Sequence, residues 1–215
     1  MVKKMDEEKS KYVKNGVMVN LLGIKNQEDL EKVERELTTF KLLKLFENPG
    51  KQTFDVNHYL SIHKYLFGDI YPFAGKIRDE AISKAITFCL PDYIYSNLKE
   101  TLTRAKKAIP FLDTPEKLFD FILPLYADLD IIHPFREGNG RTIREFMRQY
   151  MEYVCKHNNF ENIYFLDYGE ITRDEYLEAI ILADATCQYE KLRVAFGKCL
   201  KSKPNLKYVE NGPKK

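Results

Sequence analysis

The stretch His133-Pro-Phe-Arg-Glu-Gly-Asn-Gly-Arg-Thr-Ile-Arg144 decides how the chain is read. An apolar segment with helical spacing, Leu118 to Ile132, precedes it, and a second, Thr142 to Val154, follows. The spacing therefore predicts helix, tight loop, helix. Glycine inside a helix costs about 1 kcal/mol relative to alanine, so Gly138-Asn139-Gly140 belongs to the turn. There glycine permits unusual dihedral angles or a close approach of the backbone to a ligand. Free N–H groups opening the next helix, together with the positive end of its dipole, form an anion site. Arg141 and Arg144, on one helical face, are placed to flank the same anion. Glu137 is a hard oxygen ligand suited to Mg²⁺ bridging phosphates, and His133 is a base whose ordinary pKa lies near neutrality.

Taken singly, a histidine before Pro-Phe or a Gly-x-Gly is usually structural, because such short matches occur often by chance. In this order and at this spacing the stretch resembles the signature of Fic-domain proteins, His-x-Phe-x-(Asp/Glu)-Gly-Asn-Gly-Arg-x-x-Arg, at every fixed position. The resemblance implies transfer of AMP from ATP to a hydroxyl side chain (Ser, Thr or Tyr) of a target protein. An acidic residue at 137 followed by Gly138 is the adenylyl-transferring form; the related Doc kinases carry Ala-Asn-Lys in place of Gly-Asn-Gly. By the same resemblance His133 is the general base and Glu137 holds Mg²⁺. Backbone N–H groups of Gly138, Asn139 and Gly140 stabilise the α-phosphate, Arg141 and Arg144 grip the terminal phosphates with Arg144 on the γ-phosphate, and Arg173 lies near the nucleotide. Thr142 either caps the helix or touches phosphate. Phe135 anchors the loop in the core.

The fold implied is mainly α, essentially all-α: a bundle of about seven or eight helices with a short β-hairpin flap over the active site. The flap matches Ala81-Ile-Ser-Lys-Ala-Ile-Thr-Phe-Cys-Leu90, the only strand candidate that alternation and β-branched residues pick out. An isolated hairpin is marginal in water, so it must lean on helices or bind something. In the family this flap pairs with an extended segment of the target, as in strand addition. Lys84 then sits near the nucleotide and Phe88 clamps the target; the bland reading of Phe88 is core. Ala85 and Ile86 stand where the family often has glycines. Ile70-Tyr-Pro-Phe-Ala-Gly-Lys-Ile-Arg78 resembles another family segment, with Arg78 as a brace.

The rest of the chain agrees. Net charge is +2, with 44% hydrophobic and 31% charged residues, so one soluble domain is expected and no electrostatic case exists for nucleic acid. Lys3, Lys4, Lys214 and Lys215 read as solvated ends. No apolar run has the length to span a bilayer, the N-terminus lacks a signal-peptide apolar region, and Cys89, Cys155, Cys187 and Cys199 form no Cys-x-x-Cys pair. The expectation is a cytoplasmic protein with reduced thiols. Residues 1–15 read as a polar lead-in, 16–200 as the Fic domain, and 201–215 as a flexible polar tail.

Helix signals run through the domain. Asn26 caps a first helix with Leu30, Val33, Leu37, Phe40 and Leu43 as its inner stripe. Asp55 caps a second, in which His63 is a satisfied core residue and shares no metal-ligand face with His58. Pro91 or Asp92 opens a third, Thr114-Pro115 a fourth, Thr172 with Glu175 makes a capping box, and a last helix spans about 186–200.

Gly16 to Leu37 resembles the opening of Fic toxins paired with a separate small antitoxin. Many Fic proteins are restrained by Ser/Thr-x-x-x-Glu-(Gly/Asn), whose glutamate blocks the second arginine. Here Ser10 is followed by Lys14, and Thr186-x-x-x-Glu190 is followed by Lys191. Restraint is therefore expected in trans, from an antitoxin placing a glutamate on Arg144. DNA gyrase or topoisomerase IV is the target the resemblance suggests. Two other classes remain: a Fic enzyme using another donor such as UTP or CDP-choline, and a non-catalytic Fic-fold binding module.

Overall fold

The computed structural model describes residues 10–206. Residues 1–9 and 207–215, with the ends expected to be solvated at Lys3, Lys4, Lys214 and Lys215, lie outside the described residues.

Seven α-helices are present among the described residues: α1 (Gln27–Glu47), α2 (Val56–Phe67), α3 (Pro91–Ala108), α4 (Pro115–Ile132), α5 (Asn139–His157), α6 (Arg173–Thr186) and α7 (Glu190–Cys199). Local chemistry starts most of them as the sequence predicts. Asn26 accepts from the N–H groups of Glu28 and Asp29, Asp55 from that of His58, and Thr114 from that of Lys117. Pro91 and Pro115 open their helices, where a missing N–H costs nothing. Thr172 and Glu175 form a complete capping box. Each cap satisfies donors that the first turn cannot, worth typically about 1 kcal/mol.

The central element is α5, which packs on α2, α4 and the strand that follows it. Ile143, Phe146, Met147, Tyr150, Met151 and Val154 are essentially buried. Burying each such side chain contributes roughly 1.5–3 kcal/mol, so α5 is held rigidly and its N-terminus becomes a fixed point.

Four short strands also form. β1 (Val13–Lys14) and β2 (Val17–Met18) make a hairpin through Asn15-Gly16, both at positive φ. Asn-Gly is the preferred turn for that twist. β3 (Asn162–Leu166) pairs antiparallel with β4 (Leu200–Pro204), from Asn162 opposite Pro204 to Leu166 opposite Leu200. The segment 81–90 is therefore not the only strand-forming one. It is the weakest: one bridge, Ser83 to Thr87, with the Lys84 N–H bonded to the Ile86 carbonyl.

Two expectations need correction. Residues 201–204 are not a flexible tail; they pair with β3, which packs on α5. Residues 10–15 of the lead-in lie on the domain. Ser10 and the Lys11 N–H bind the Glu80 carboxylate, the Tyr12 hydroxyl donates to Asp79 at 2.8 Å, and the Tyr12 ring packs edge-on against Phe73. Finally, α1 is rotated. It buries Leu30, Glu34, Thr38 and Leu45, while Phe40 and Leu43 are 59% and 61% exposed. Leu37 and Leu42 pack against the core, so the first half of the expected stripe stays inward and only its second half faces out.

Candidate active site

The loop between α4 and α5 holds His133 by its backbone. His133 ends α4 in the left-handed conformation at φ 44°, with its N–H on the Leu129 carbonyl. Its Nδ1 lies 3.1 Å from the Asp130 carbonyl oxygen. A carbonyl only accepts, so Nδ1 carries the hydrogen and the Nε2 lone pair is left free. The ring is buried and stacks on Phe88 at 3.8 Å and 14°. Burial first, then the positive charge of Lys84, hold the imidazole neutral and push its pKa down to about 3. A neutral imidazole with a free Nε2 is the form a general base needs.

That shift has a measurable consequence. A base is lost when it protonates, and a depressed pKa moves that loss to lower pH. The acid limb of kcat/KM, which reports the free enzyme, is expected well below the ordinary histidine value of about 6.5. A pH–rate profile for ATP between pH 8 and 5 should be flat on that side. A limb centred near 6.5 would contradict the neutral, buried His133.

The loop is braced from several directions. Phe135 is fully buried, stacked on His63 at 3.7 Å and parallel to Tyr59. The Asn139 side chain closes the turn on itself, accepting from the Phe135 N–H and donating to its carbonyl at 2.9 and 2.7 Å. His63 accepts from the Gly75 N–H at 2.8 Å, so its Nε2–H donates to the Glu137 carbonyl at 2.9 Å; burial pushes its pKa down to about 4. It is a satisfied core residue, and it also holds the loop. Arg78 is the brace the sequence suggested. Its Nε donates to the His133 carbonyl at 2.8 Å, and its other nitrogens donate to the carbonyls of Glu80 and Cys89 at 2.6 Å. One guanidinium thus ties both ends of the flap to the backbone of His133.

The anion cradle is narrower than the sequence implied. Gly138 caps α5 at φ 83°, and its N–H is taken by its neighbour's carboxylate, Glu137 Oε1 at 2.9 Å. The first-turn N–H groups of Asn139 and Gly140 are the ones helix geometry leaves without an intrahelical partner. Thr142 does not face the cradle: it is fully buried and its hydroxyl donates to the Gly138 carbonyl at 3.0 Å. The Asn139 side chain is likewise engaged inside the loop.

Arg141 and Arg144 do not share one anion here; they diverge. Arg141 turns to α1, where it pairs with Glu34, donates to Thr38 at 3.2 Å and lies over the Phe67 ring at 4.8 Å. Arg144 turns the other way, over Tyr168 at 4.7 Å and Tyr176 at 5.4 Å. Among the described residues it makes no ion pair. Arg173 is exposed at the first position of α6, one turn before Tyr176. Lys84 is exposed at the flap tip, 5.9 Å from the Phe88 ring. Phe88 itself is buried on His133, so the core reading describes it in this state.

Glu137 fits the demands of Mg²⁺. Mg²⁺ keeps several waters and uses one or two carboxylates together with substrate phosphates. The Glu137 side chain is 43% exposed, and one of its oxygens faces the Gly138 N–H and, at 3.7 Å, Arg141. Among the described residues there is no three-ligand cluster for a metal. No described helix is long and apolar enough to cross a membrane.

Sequence reasoning missed Glu34, Tyr71 and the Asp130 carbonyl. The only trace of Glu34 in the sequence is a charge beside the apolar stripe of α1, which is an ordinary place for a solvated one.

Comparison with known proteins bears on this site. The Fic/DOC family model matches residues 53–151. Protein adenylyltransferase VbhT of Bartonella schoenbuchensis is 36% identical over 171 residues, covering 77% of this chain. The chain spans only 34% of the length of VbhT. The y4lH protein of Sinorhizobium fredii is 26% identical over 178 residues, covering 79% of this chain and 84% of that protein. Among solved structures, the BepC effector of Bartonella tribocorum with bound AMPPNP superposes with a TM-score of 0.73 at 20% identity, covering 90% of this chain and 97% of that one. That likeness establishes the fold.

Proposed function

The chain belongs to the Fic/DOC family, and from that premise we propose that it is a protein adenylyltransferase, moving AMP from ATP to a Ser, Thr or Tyr hydroxyl of a target protein. The hydroxyl oxygen attacks the α-phosphorus, the bond to the β-bridging oxygen breaks, the proton passes to His133 Nε2, and pyrophosphate leaves. N–H groups of Asn139 and Gly140 meet the charge that develops on the α-phosphate. Arg144 grips the γ-phosphate. Glu137 would hold Mg²⁺, which when bound would supply positive charge to the phosphates. Lys84 and Arg173 border the nucleotide, and the flap carrying Phe88 positions the target. The observation that carries the reading is His133: a neutral base, Nε2 free, fixed at the mouth of an anion-binding helix start.

The finer reading is a cytoplasmic toxin controlled by a separate small antitoxin. It is supported by Arg144, which has no carboxylate partner among the described residues, and by Glu190, which is exposed at the first turn of α7 and in no ion pair. An antitoxin glutamate on Arg144 would compete with the γ-phosphate through a charge-assisted pair. DNA gyrase and topoisomerase IV are the proposed targets, with no direct contact to nucleic acid.

The test is incubation with ATP labelled at the α-phosphate, and Mg²⁺, in a bacterial lysate. Discrete labelled protein bands are expected, suppressed by unlabelled ATP but not by UTP. No label in any band would overturn the activity. Suppression by UTP or CDP-choline instead would change the donor, and label without slowed growth on expression would remove the toxin role.

A further inference from the structure

We infer that Glu34, on α1 and outside the matched family segment, is a positioning residue of this nucleotide site, acting through Arg141; the inference rests on the proposed reading of the site. Its carboxylate is 7% exposed and is held from two directions. One oxygen takes Arg141 from the first turn of α5, and the other takes the hydroxyl of Tyr71 from the loop after α2. Burial and this bond to Glu34 raise the Tyr71 pKa far above its ordinary value, so the hydroxyl remains a donor. Arg141 also donates to Thr38, whose own hydrogen goes to the Glu34 carbonyl at 2.7 Å.

A charge this buried stays only while its partner stays, because removing one partner leaves the other uncompensated. Arg141 is thereby held as a strut between α1 and α5. The strut bears on three parts of the site. Its guanidinium lies 3.7 Å from Glu137 Oε1, the proposed metal ligand. It covers the Phe67 ring at 4.8 Å, and Phe67 is the ring against which Gly138 packs so closely that a β-carbon there would meet it at 2.4 Å. It opens α5, whose N–H groups form the cradle. A cleft of about 340 Å³ lined by Glu34, Tyr71, Glu137 and Arg141 lies between α1 and the loop, and the ion pair bridges it.

The contact also sits within the inward face of α1. Glu34 and Thr38 lie among Leu30, Leu37, Leu42 and Leu45 on that face, while Phe40 and Leu43 point outward, so the polar pair and the buried leucines favour the same orientation of the helix.

The test uses the full chain with Glu34→Gln, Glu34→Asp, Arg141→Gln and the double variant Glu34→Gln/Arg141→Gln. Calorimetric affinity for AMPPNP with Mg²⁺ and the AMP-transfer rate are both read. Glu34→Gln should lose about tenfold in affinity and at least as much in transfer, since one disoriented contact misaligns the reacting groups. Glu34→Asp should recover part of both, and the double variant should be no worse than Arg141→Gln alone, as expected for residues acting as one unit. Tyr71→Phe, which removes one bond and no charge, should show a smaller loss in the same direction and serves if Glu34→Gln does not fold. Wild-type affinity and rate in Glu34→Gln, or losses that multiply in the double variant, would overturn the inference. A wild-type chain that binds AMPPNP but transfers nothing sinks the proposed activity while the affinity series still reads Glu34. One that binds no nucleotide overturns both.

Discussion

Replacing His133 with alanine is expected to lower AMP transfer by about 10²–10⁴-fold, the usual contribution of a positioned general base, and to leave AMPPNP affinity within a few-fold of wild type. The separation follows from the geometry. The loop is held by Arg78 on the His133 carbonyl, by the Asn139 side chain on Phe135 and by His63 on the Glu137 carbonyl. None of these uses the imidazole, so the N–H groups opening α5 keep their place. In the flap the ring stacks on Phe88, so its loss frees the flap more than the cradle. Single-turnover transfer and calorimetry on the same preparation decide the matter. Near wild-type transfer would remove His133 from the role of base, and affinity lost in parallel with transfer would make it a structural residue.

Gly138→Ala is expected to be as damaging by a different route, through binding. Gly138 sits at φ 83°, where a β-carbon costs roughly 1–2 kcal/mol. That carbon would also lie 2.4 Å from two ring atoms of Phe67, which is fully buried and cannot retreat. Overpacking in such a place costs typically about 1–3 kcal/mol more. Relief comes only by moving the start of α5, and the cradle moves with it. AMPPNP affinity should fall at least tenfold and the urea midpoint should drop. Gly140→Ala is the control, because a β-carbon there meets nothing within 4 Å; its urea midpoint should stay near wild type. A Gly138→Ala variant with unchanged affinity would show that the glycine serves the sequence pattern and not the backbone conformation.

The parts of this protein that were legible in its sequence are those decided within a few residues. Caps at Asn26, Asp55, Thr114 and Thr172, prolines at helix starts and the helix–loop–helix around Gly138 are all local, and they stand where the sequence put them. The signature also marked His133 and Glu137, which stand on the loop between α4 and α5, and the separate segment ending at Arg78 marked the brace of that loop. The Asn15-Gly16 turn is equally local, yet the reading that took 81–90 as the only strand candidate passed over it, because its strands are two residues each.

What tertiary structure decided is what depends on partners distant in the chain. The pairing of β3 with β4 joins a polar segment, Leu200–Pro204, to one that alternates poorly, and backbone pairing needs no side-chain pattern to announce it. The tautomer of His133 is chosen by the carbonyl of Asp130, because a left-handed helix end turns the ring back on its own last turn. The divergence of Arg141 and Arg144 is chosen by what each finds: a carboxylate on α1 for one, two tyrosine faces for the other. On α1, periodicity gave an inner stripe whose first half, at Leu30 and Leu37, stays inward, while Leu42 and Leu45 take the place expected for Phe40 and Leu43. Periodicity ranks faces by their own hydrophobicity and cannot weigh a buried ion pair between residues 107 positions apart. Arg141 is anchored at the start of the rigid central helix, so its charge favours the face of α1 that carries Glu34.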